Sequence, residues 1–344
     1  MQRVQLVFLA LGLAGLILLV RHVGVVPLAD ALRSLSWWLP VLALFPAALI
    51  VVCESLAWRY AFPRDRVTLA RLTAVRLAGE AFNHTTPTAN VGGDAVKALL
   101  LRPRLRVAET LPSLVIGKTS DVVAQALFAV PASVVAATML GGASVVVQAM
   151  IALAIVESAL AAAFLLVQLR GTVARGGDLI ARLGLSSLGR TRFAAFRLDR
   201  ALAGYYRRRR RRFALSVVWF VAALLVAVLE TSLLLALLDG TTSTAVAFAA
   251  TAAVAAATFA SFLVPGDVGV HEGAWVLVLG AFGVAADDAL AVATVKRVRE
   301  LVWVGIGYAC WLALSGAAGR GAQRAGSGDA PRAAARLLDR APTE

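Results

Sequence analysis

Long apolar runs separated by short polar connectors dominate this chain. Several of these runs exceed the roughly 18 residues that a membrane-crossing helix needs. The pattern predicts apolar helices at 6–20, 37–58, 108–140, 144–169, 213–238, 245–264 and 287–315. The fold class that follows is an all-α integral membrane protein, a polytopic helical bundle of six to eight spans.

Two polar stretches interrupt the apolar pattern. The first, at 79–97, reads GEAFNHTTPTANVGGDAVK, and the second, at 264–275, reads VPGDVGVHEGAW. Proline stops a helix and glycine lets the backbone turn, so each stretch predicts a broken helix. The exposed N–H groups of such half-helices are expected to form an anion site. Broken backbone at membrane depth is tolerated only where it is buried in protein or lines a wet cavity. A pair of such breaks in one transporter-like chain points to a central binding site, and the alternative is two plain aqueous loops.

The helix after the second break is too short to cross a membrane. Residues 273–284 are apolar but number only 12, whereas a crossing takes about 20. We therefore expect two re-entrant broken-helix elements. The count is six spans if 245–284 dips in and returns, and eight if both its helices cross.

Ionisable residues inside apolar runs are costly, and each is a hypothesis for a functional site. Glu157 and Glu230 lie within predicted spans, and Lys296, Arg297, Arg299 and Glu300 interrupt the last one. Cations there suit a phosphate head group. The alternatives are structural ion pairs or snorkelling to the interface. Lys118 and Asp121, three residues apart, favour an internal ion pair.

Composition agrees with a membrane protein. The chain has 344 residues, 60% of them apolar and 16% charged, with a mean hydropathy of +0.80. The net charge of +14 is concentrated in connectors, with thirteen arginines at 170–212. The positive-inside rule then predicts that both termini lie on the cytoplasmic side of what we expect to be a bacterial-type inner or plasma membrane. We expect no nucleic acid partner, no metal and no cofactor, because no matching motif or spacing is present. His84 and His271 each lie in a polar break and could converge on a metal, but no metal-binding spacing supports such a site.

The two breaks, together with the VKRVREL segment after them, resemble the flippase-like membrane domain of lysylphosphatidylglycerol synthases. Gly92, Gly93, Asp94 and Lys97 match that family's glycine-glycine-acid-x-x-basic element, and the upstream asparagine and proline match Asn83 and Pro87. The second element matches Pro265, Gly266, Gly269 and Glu272, although Asp267 stands where many relatives have glycine. The Glu230 span and the 296–300 cluster look most like the branch associated with hopanoid biosynthesis. The synthases' aminoacyl-transferase domain is missing, so we expect no lipid aminoacylation.

The resemblance implies a flippase-like domain at 1–318, including an arginine-rich cytoplasmic loop at 170–212, followed by a disordered tail at 319–344. The expected function is translocation of a lipid or lipid-linked intermediate, anionic or isoprenoid-type, between leaflets. The alternatives are an intramembrane enzyme or accessory subunit for a lipid-linked sugar, and a proton-coupled small-solute transporter. The oligomeric state stays open. The candidate head-group residues are Glu80, Asn83, Pro87, Gly92, Gly93, Asp94, Lys97, Glu230, Pro265, Gly266, Gly269, Glu272, Arg297, Arg299 and Glu300.

Overall fold

A computed structural model describes the backbone of residues 33, 38–85, 91–170, 189–238, 243–260 and 269–338. All the regular structure in these residues is helical, and it forms ten helices. They are α1 (Leu39–Ala61), α2 (Leu69–Thr85), α3 (Val91–Leu101), α4 (Val107–Leu140), α5 (Val145–Arg170), α6 (Gly189–Arg208), α7 (Arg210–Leu238), α8 (Thr244–Ala260), α9 (Val270–Ala281) and α10 (Ala286–Leu338).

Five of these helices carry a segment long and apolar enough to cross a membrane. These segments are Leu44–Ala61 in α1, all of α4, α5 and α7, and Ala286–Gly316 in α10. Many of their large apolar side chains face outward, which suits contact with lipid. The chain is an all-α polytopic membrane protein, as the sequence predicts. The additional span predicted at 6–20 lies outside the described residues.

Each polar stretch of the sequence spans the junction between two helices that pack against one another, and most of its described residues are helical. α2 and α3 form the first hairpin, and α8 and α9 form the second. Arg66, just before α2, bonds Glu109 at the start of α4 at 3.0 Å, so the first hairpin begins and ends at one edge of the bundle. We call this the basic edge, because α1 ends there beside Arg59 and α7 begins there at Arg210.

The second hairpin starts from the opposite edge. α7 runs away from the basic edge, and its Glu230 bonds Lys296 of α10 at 2.9 Å. Glu230 lies near the end of α7, and Lys296 lies near the start of α10. The α8–α9 hairpin therefore lies between the end of α7 and the start of α10, on the side of the bundle opposite the basic edge.

The described core has two large parts, one for each edge, and a small third cluster of Ala57, Ala124, Val217 and Phe220. At the basic edge, side chains of α1–α4 and α6 pack around Trp58, Leu72 and Ile116. At the other edge, α4, α5 and α7–α10 pack around Leu235, Trp275 and Leu279. α8 contributes mainly buried alanines, whose small side chains allow the neighbouring helices to approach closely.

Two segments differ from the sequence expectation. The arginine-rich region, expected as a loop over 170–212, contains the helix α6, because Leu202, Tyr205 and Tyr206 share one face that is buried against the spans. α10 continues as helix to Leu338, past the boundary at 318 after which we expect a disordered tail. The division into a membrane domain and a tail stays a prediction.

Candidate functional site

The first hairpin is held together by two glycines that let its helices touch. A Cβ added at Gly93 would come closer than 3.0 Å to the carbonyl oxygen of Gly79 and to the Asn83 side chain. Asn83 on α2 accepts a hydrogen bond from the Gly93 N–H at 2.8 Å. It thereby satisfies one of the donors that a helix N-terminus leaves unpaired, here from the neighbouring helix. The glycine pair and the asparagine together fix how α2 and α3 cross.

Lys97 is the charged centre of this hairpin. Its side chain is 8% exposed, and its ammonium bonds Glu80 of α2 at 2.8 Å and Asp94 of α3 at 3.1 Å. Asn83 donates a further hydrogen bond to Glu80 at 3.2 Å. A buried cation is stable only when paired, so the two carboxylates are what allow Lys97 to lie at the helix crossing.

These residues open onto a cavity of about 150 Å³, which we call the hairpin cavity. Three cations and three carboxylates line it, together with Asn83 and a few apolar side chains. Lys118 pairs with Asp121 at 3.5 Å across one turn of α4, as the sequence predicts. Arg76 bonds Glu54 of α1 at 2.7 Å. The cavity is thus walled by the first hairpin on one side and by α1, α4 and α7 on the other.

The tip of the second hairpin is fixed by a glycine and a glutamate. Gly269 has a φ of 81°, a left-handed conformation that favours glycine. Three residues on, the buried carboxylate of Glu272 accepts the Gly269 N–H at 2.8 Å and so caps the start of α9. Its other oxygen bonds Arg297 of α10 at 2.6 Å. The tip is therefore tied to α10.

One turn of α10 contacts both hairpins. Arg297 and Glu300 bond each other at 2.9 Å, and we call this turn the bridging turn. Its arginine holds Glu272 of the second hairpin. Its glutamate bonds His84 of the first hairpin at 2.9 Å. Thr85, the last residue of α2, also contacts Tyr308 of α10. A continuous chain of polar contacts therefore joins the two breaks.

A cluster of one carboxylate and two cations lies beside the bridging turn. Glu230 of α7 is fully buried and bonds both Lys296, at 2.9 Å, and Arg299. The Lys296 ammonium also lies 4.9 Å from the centre of the Trp275 ring on α9. Two cations against one carboxylate connect α7, α9 and α10 in the interior.

The structure brings the predicted site residues into two clusters. The hairpin cavity collects the first cluster, which is Glu80, Asn83, Asp94 and Lys97, and Gly92 and Gly93 precede Asp94 in the same turn of α3. The bridging turn and its neighbours collect the second, which is Glu230, Gly269, Glu272, Arg297, Arg299 and Glu300. Pro87, Pro265 and Gly266 lie outside the described residues.

Two features of the site differ from the sequence-based interpretation. The exposed N–H groups of the half-helices were expected to bind an anion, but those of Gly93 and Gly269 already donate to Asn83 and Glu272. The sequence also missed Arg76 as a cavity residue. The only signal for it was its place on the same face of α2 as Glu80, four residues further on.

The structure also places Lys118, Asp121 and the two histidines of the breaks. Lys118 and Asp121 were interpreted as an internal pair and not as part of a cavity, and they prove to line one. His84 and His271 were considered as converging metal ligands. His84 bonds Glu300, whereas His271 accepts a hydrogen bond from the Trp275 indole at 3.1 Å.

Fold and site together define a polytopic helical membrane protein in which two broken hairpins meet at one turn of a span. The family known as the lysylphosphatidylglycerol synthase TM region matches residues 5–307. The chain belongs to this family, which implies a function related to membrane lipids. The match gives no support to the hopanoid-associated branch. No curated protein and no solved structure gives a significant match.

Proposed function

We propose that this protein moves a lipid or lipid-linked intermediate between the membrane leaflets, with the polar head group passing through the hairpin cavity while the tail stays in the membrane. The observation that carries the proposal is the cavity itself. Charged side chains surround it within a bundle whose outer surface is apolar. Polar groups inside a membrane domain mark substrate pathways because they are otherwise costly.

The charges of the cavity suit a head group that has a phosphate and also hydrogen-bond donors. Lys97 already has two carboxylate partners, and Arg76 is bound to Glu54. Lys118 is different, because it is 56% exposed and its pair with Asp121 is the longest of these at 3.5 Å. We infer that Lys118 is the cation that an incoming phosphate meets first. Asp94, 43% exposed, is placed to accept from hydroxyl or amine groups.

We infer that the first hairpin, which walls the cavity, and the second hairpin, which is connected to it through the bridging turn, move together to open the site. We interpret both as re-entrant elements, since each begins and ends at one edge of the bundle and the edges are opposite. Opposed broken helices that meet near the midplane are typical of transporters with alternating access. The bridging turn contacts both tips, so a displacement of one hairpin changes the contacts available to the other.

The direct test is a leaflet-exchange assay. The purified full chain is placed in liposomes with fluorescent anionic, zwitterionic or isoprenoid lipids, and a membrane-impermeant quencher reports the accessible leaflet. We expect faster exchange for at least one lipid, and loss of it in Lys118→Gln and Asp94→Asn. Arg102→Gln, an exposed arginine outside the cavity, is the matched control. If the protein accelerates exchange of none of these lipids, the proposal is wrong.

A second candidate function, proton-coupled transport of a small solute, rests on Glu157. This residue of α5 is 3% exposed, and its Oε1 has no hydrogen-bond partner among the described residues. An unpaired carboxyl group inside a span is typical of proton relays. Proton flux into liposomes that is lost in Glu157→Gln, with no lipid exchange in the native protein, would favour this candidate over the first.

A further inference from the structure

A groove of about 450 Å³ lies at the basic edge, away from the hairpin cavity. It is bordered by the end of α1 with the segment after it, by the start of α4 and by one face of α6. No residue that lines the groove also lines the hairpin cavity. The two sites therefore have separate walls, and a substitution in one does not alter the lining of the other.

The rim of the groove is strongly basic. Its lining includes the exposed residues Arg64, Arg66, Arg200, Arg208 and Arg209. The one carboxylate in this lining, Glu109, is already paired with Arg66. Guanidinium groups bind phosphate through two parallel hydrogen bonds, which makes such a rim complementary to a phosphate group.

The floor of the groove is apolar. Phe62, Leu105 and Ile116 are buried beneath it, and Pro112 lies among them. Tyr205 forms part of the same wall, and its hydroxyl donates to the Tyr60 carbonyl at 2.6 Å. Because that hydroxyl is occupied, the ring contributes an apolar face to the groove.

We propose that this groove binds an anionic glycerophospholipid from the adjoining leaflet, with its phosphate against the arginine rim and an acyl chain over the apolar floor. A basic rim above an apolar floor matches both ends of such a lipid. A free phosphate would use the rim alone. The position of the groove at the ends of two spans places it at the level of lipid head groups. A bound lipid would hold α6 against α1 and α4.

Two neighbouring arginines of α6 provide a matched test of the rim. Arg208 lines the groove, whereas Arg207 is exposed and does not. The full chain in a neutral detergent is titrated with phosphatidylglycerol, and bound lipid is counted by native mass spectrometry. We expect Arg208→Gln to weaken binding by about fivefold and Arg207→Gln to leave it nearly unchanged. Equal effects of the two substitutions would show general charge attraction and would overturn the proposal.

Gly204 provides the test of the floor. It lines the groove, and a Cβ added there would meet no atom within 4 Å. Gly204→Phe should therefore fill the groove without disturbing the helix and should abolish phosphatidylglycerol binding, whereas Gly204→Ala should not. Thermal unfolding confirms that both variants are folded. If inorganic phosphate competes as well as the lipid and Gly204→Phe has no effect, the groove is a phosphate site and the lipid proposal is wrong. None of these experiments measures lipid exchange. Their outcomes therefore test lipid binding in the groove independently of the transport proposal.

Discussion

Replacing Gly93 by alanine tests the construction of the first hairpin. The new methyl group would approach a backbone oxygen of Gly79 and the Asn83 side chain more closely than 3.0 Å. Asn83 can move only by giving up its hydrogen bond to the Gly93 N–H, which measures 2.8 Å. The backbone of α2 can move only if the helix shifts as a whole. The substitution should therefore force the two helices apart.

The expected magnitude follows from three effects. Overpacking of an interior costs about 1–3 kcal/mol. Loss of a hydrogen bond adds about 0.5–1.5 kcal/mol. Alanine favours a helix over glycine by about 0.5–1 kcal/mol, which offsets part of the cost. The net destabilisation is about 2 kcal/mol, which is roughly 30-fold in the unfolding equilibrium.

The assay is reversible unfolding in mixed micelles, followed by circular dichroism. Gly280→Ala in α9 is the matched control, because it lies in a helix and its added Cβ would meet nothing within 4 Å. We expect this control to be as stable as the native protein or slightly more stable. If Gly93→Ala and Gly280→Ala have the same free energy of unfolding, the close approach of α2 and α3 is not what holds the hairpin.

Three further predictions concern charges. Lys97→Met should destabilise the fold by about 1–3 kcal/mol, because it leaves the partly exposed carboxylates of Glu80 and Asp94 without the cation they share. Lys118→Gln should reduce lipid exchange and barely change stability. Glu272→Gln and Arg297→Gln should show a coupling free energy above about 1 kcal/mol in a double-mutant cycle on stability, and additive effects would contradict the contact. Partial burial opposes ionisation of Asp65, but Arg212 and Arg59 outweigh it and hold the pKa of Asp65 below its ordinary value. The stability gained from this pair is thus present above about pH 4 and is lost as the pH falls further, and Asp65→Asn should remove this part of the acid dependence.

The sequence was sufficient for the long spans within the described residues and for the positions of the two breaks along the chain. Apolar length predicts α4, α5 and α7 almost to the residue, because a lipid environment leaves few alternatives to a helix. The polar breaks stand out for the same reason. Composition alone marks Glu230, Arg297 and Glu300 as unusual, and the structure shows that each has an oppositely charged partner.

The parts that escaped prediction depend on contacts between distant segments. In the sequence Arg76 has the features of an ordinary interfacial arginine. Its role is visible only in the structure, where it bonds Glu54 of another helix. The spacing of Leu198, Leu202 and Tyr205 is that of an amphipathic helix, yet the density of arginines favoured a loop. The apolar face of α6 is buried only because it packs against the spans beneath it. That packing surface is formed by segments distant in the sequence, so it could not be predicted from the sequence of α6 alone.

The bridging turn has a thermodynamic consequence. His84 and Glu272 belong to different hairpins, and both depend on the same pair, Arg297 and Glu300. Thermodynamic linkage requires reciprocity: if a ligand at one tip changes the affinity for a ligand at the other tip by some factor, the second ligand changes the affinity for the first by the same factor. If a lipid binds at one tip and changes these contacts, its binding and that of a ligand at the other tip should therefore affect each other equally.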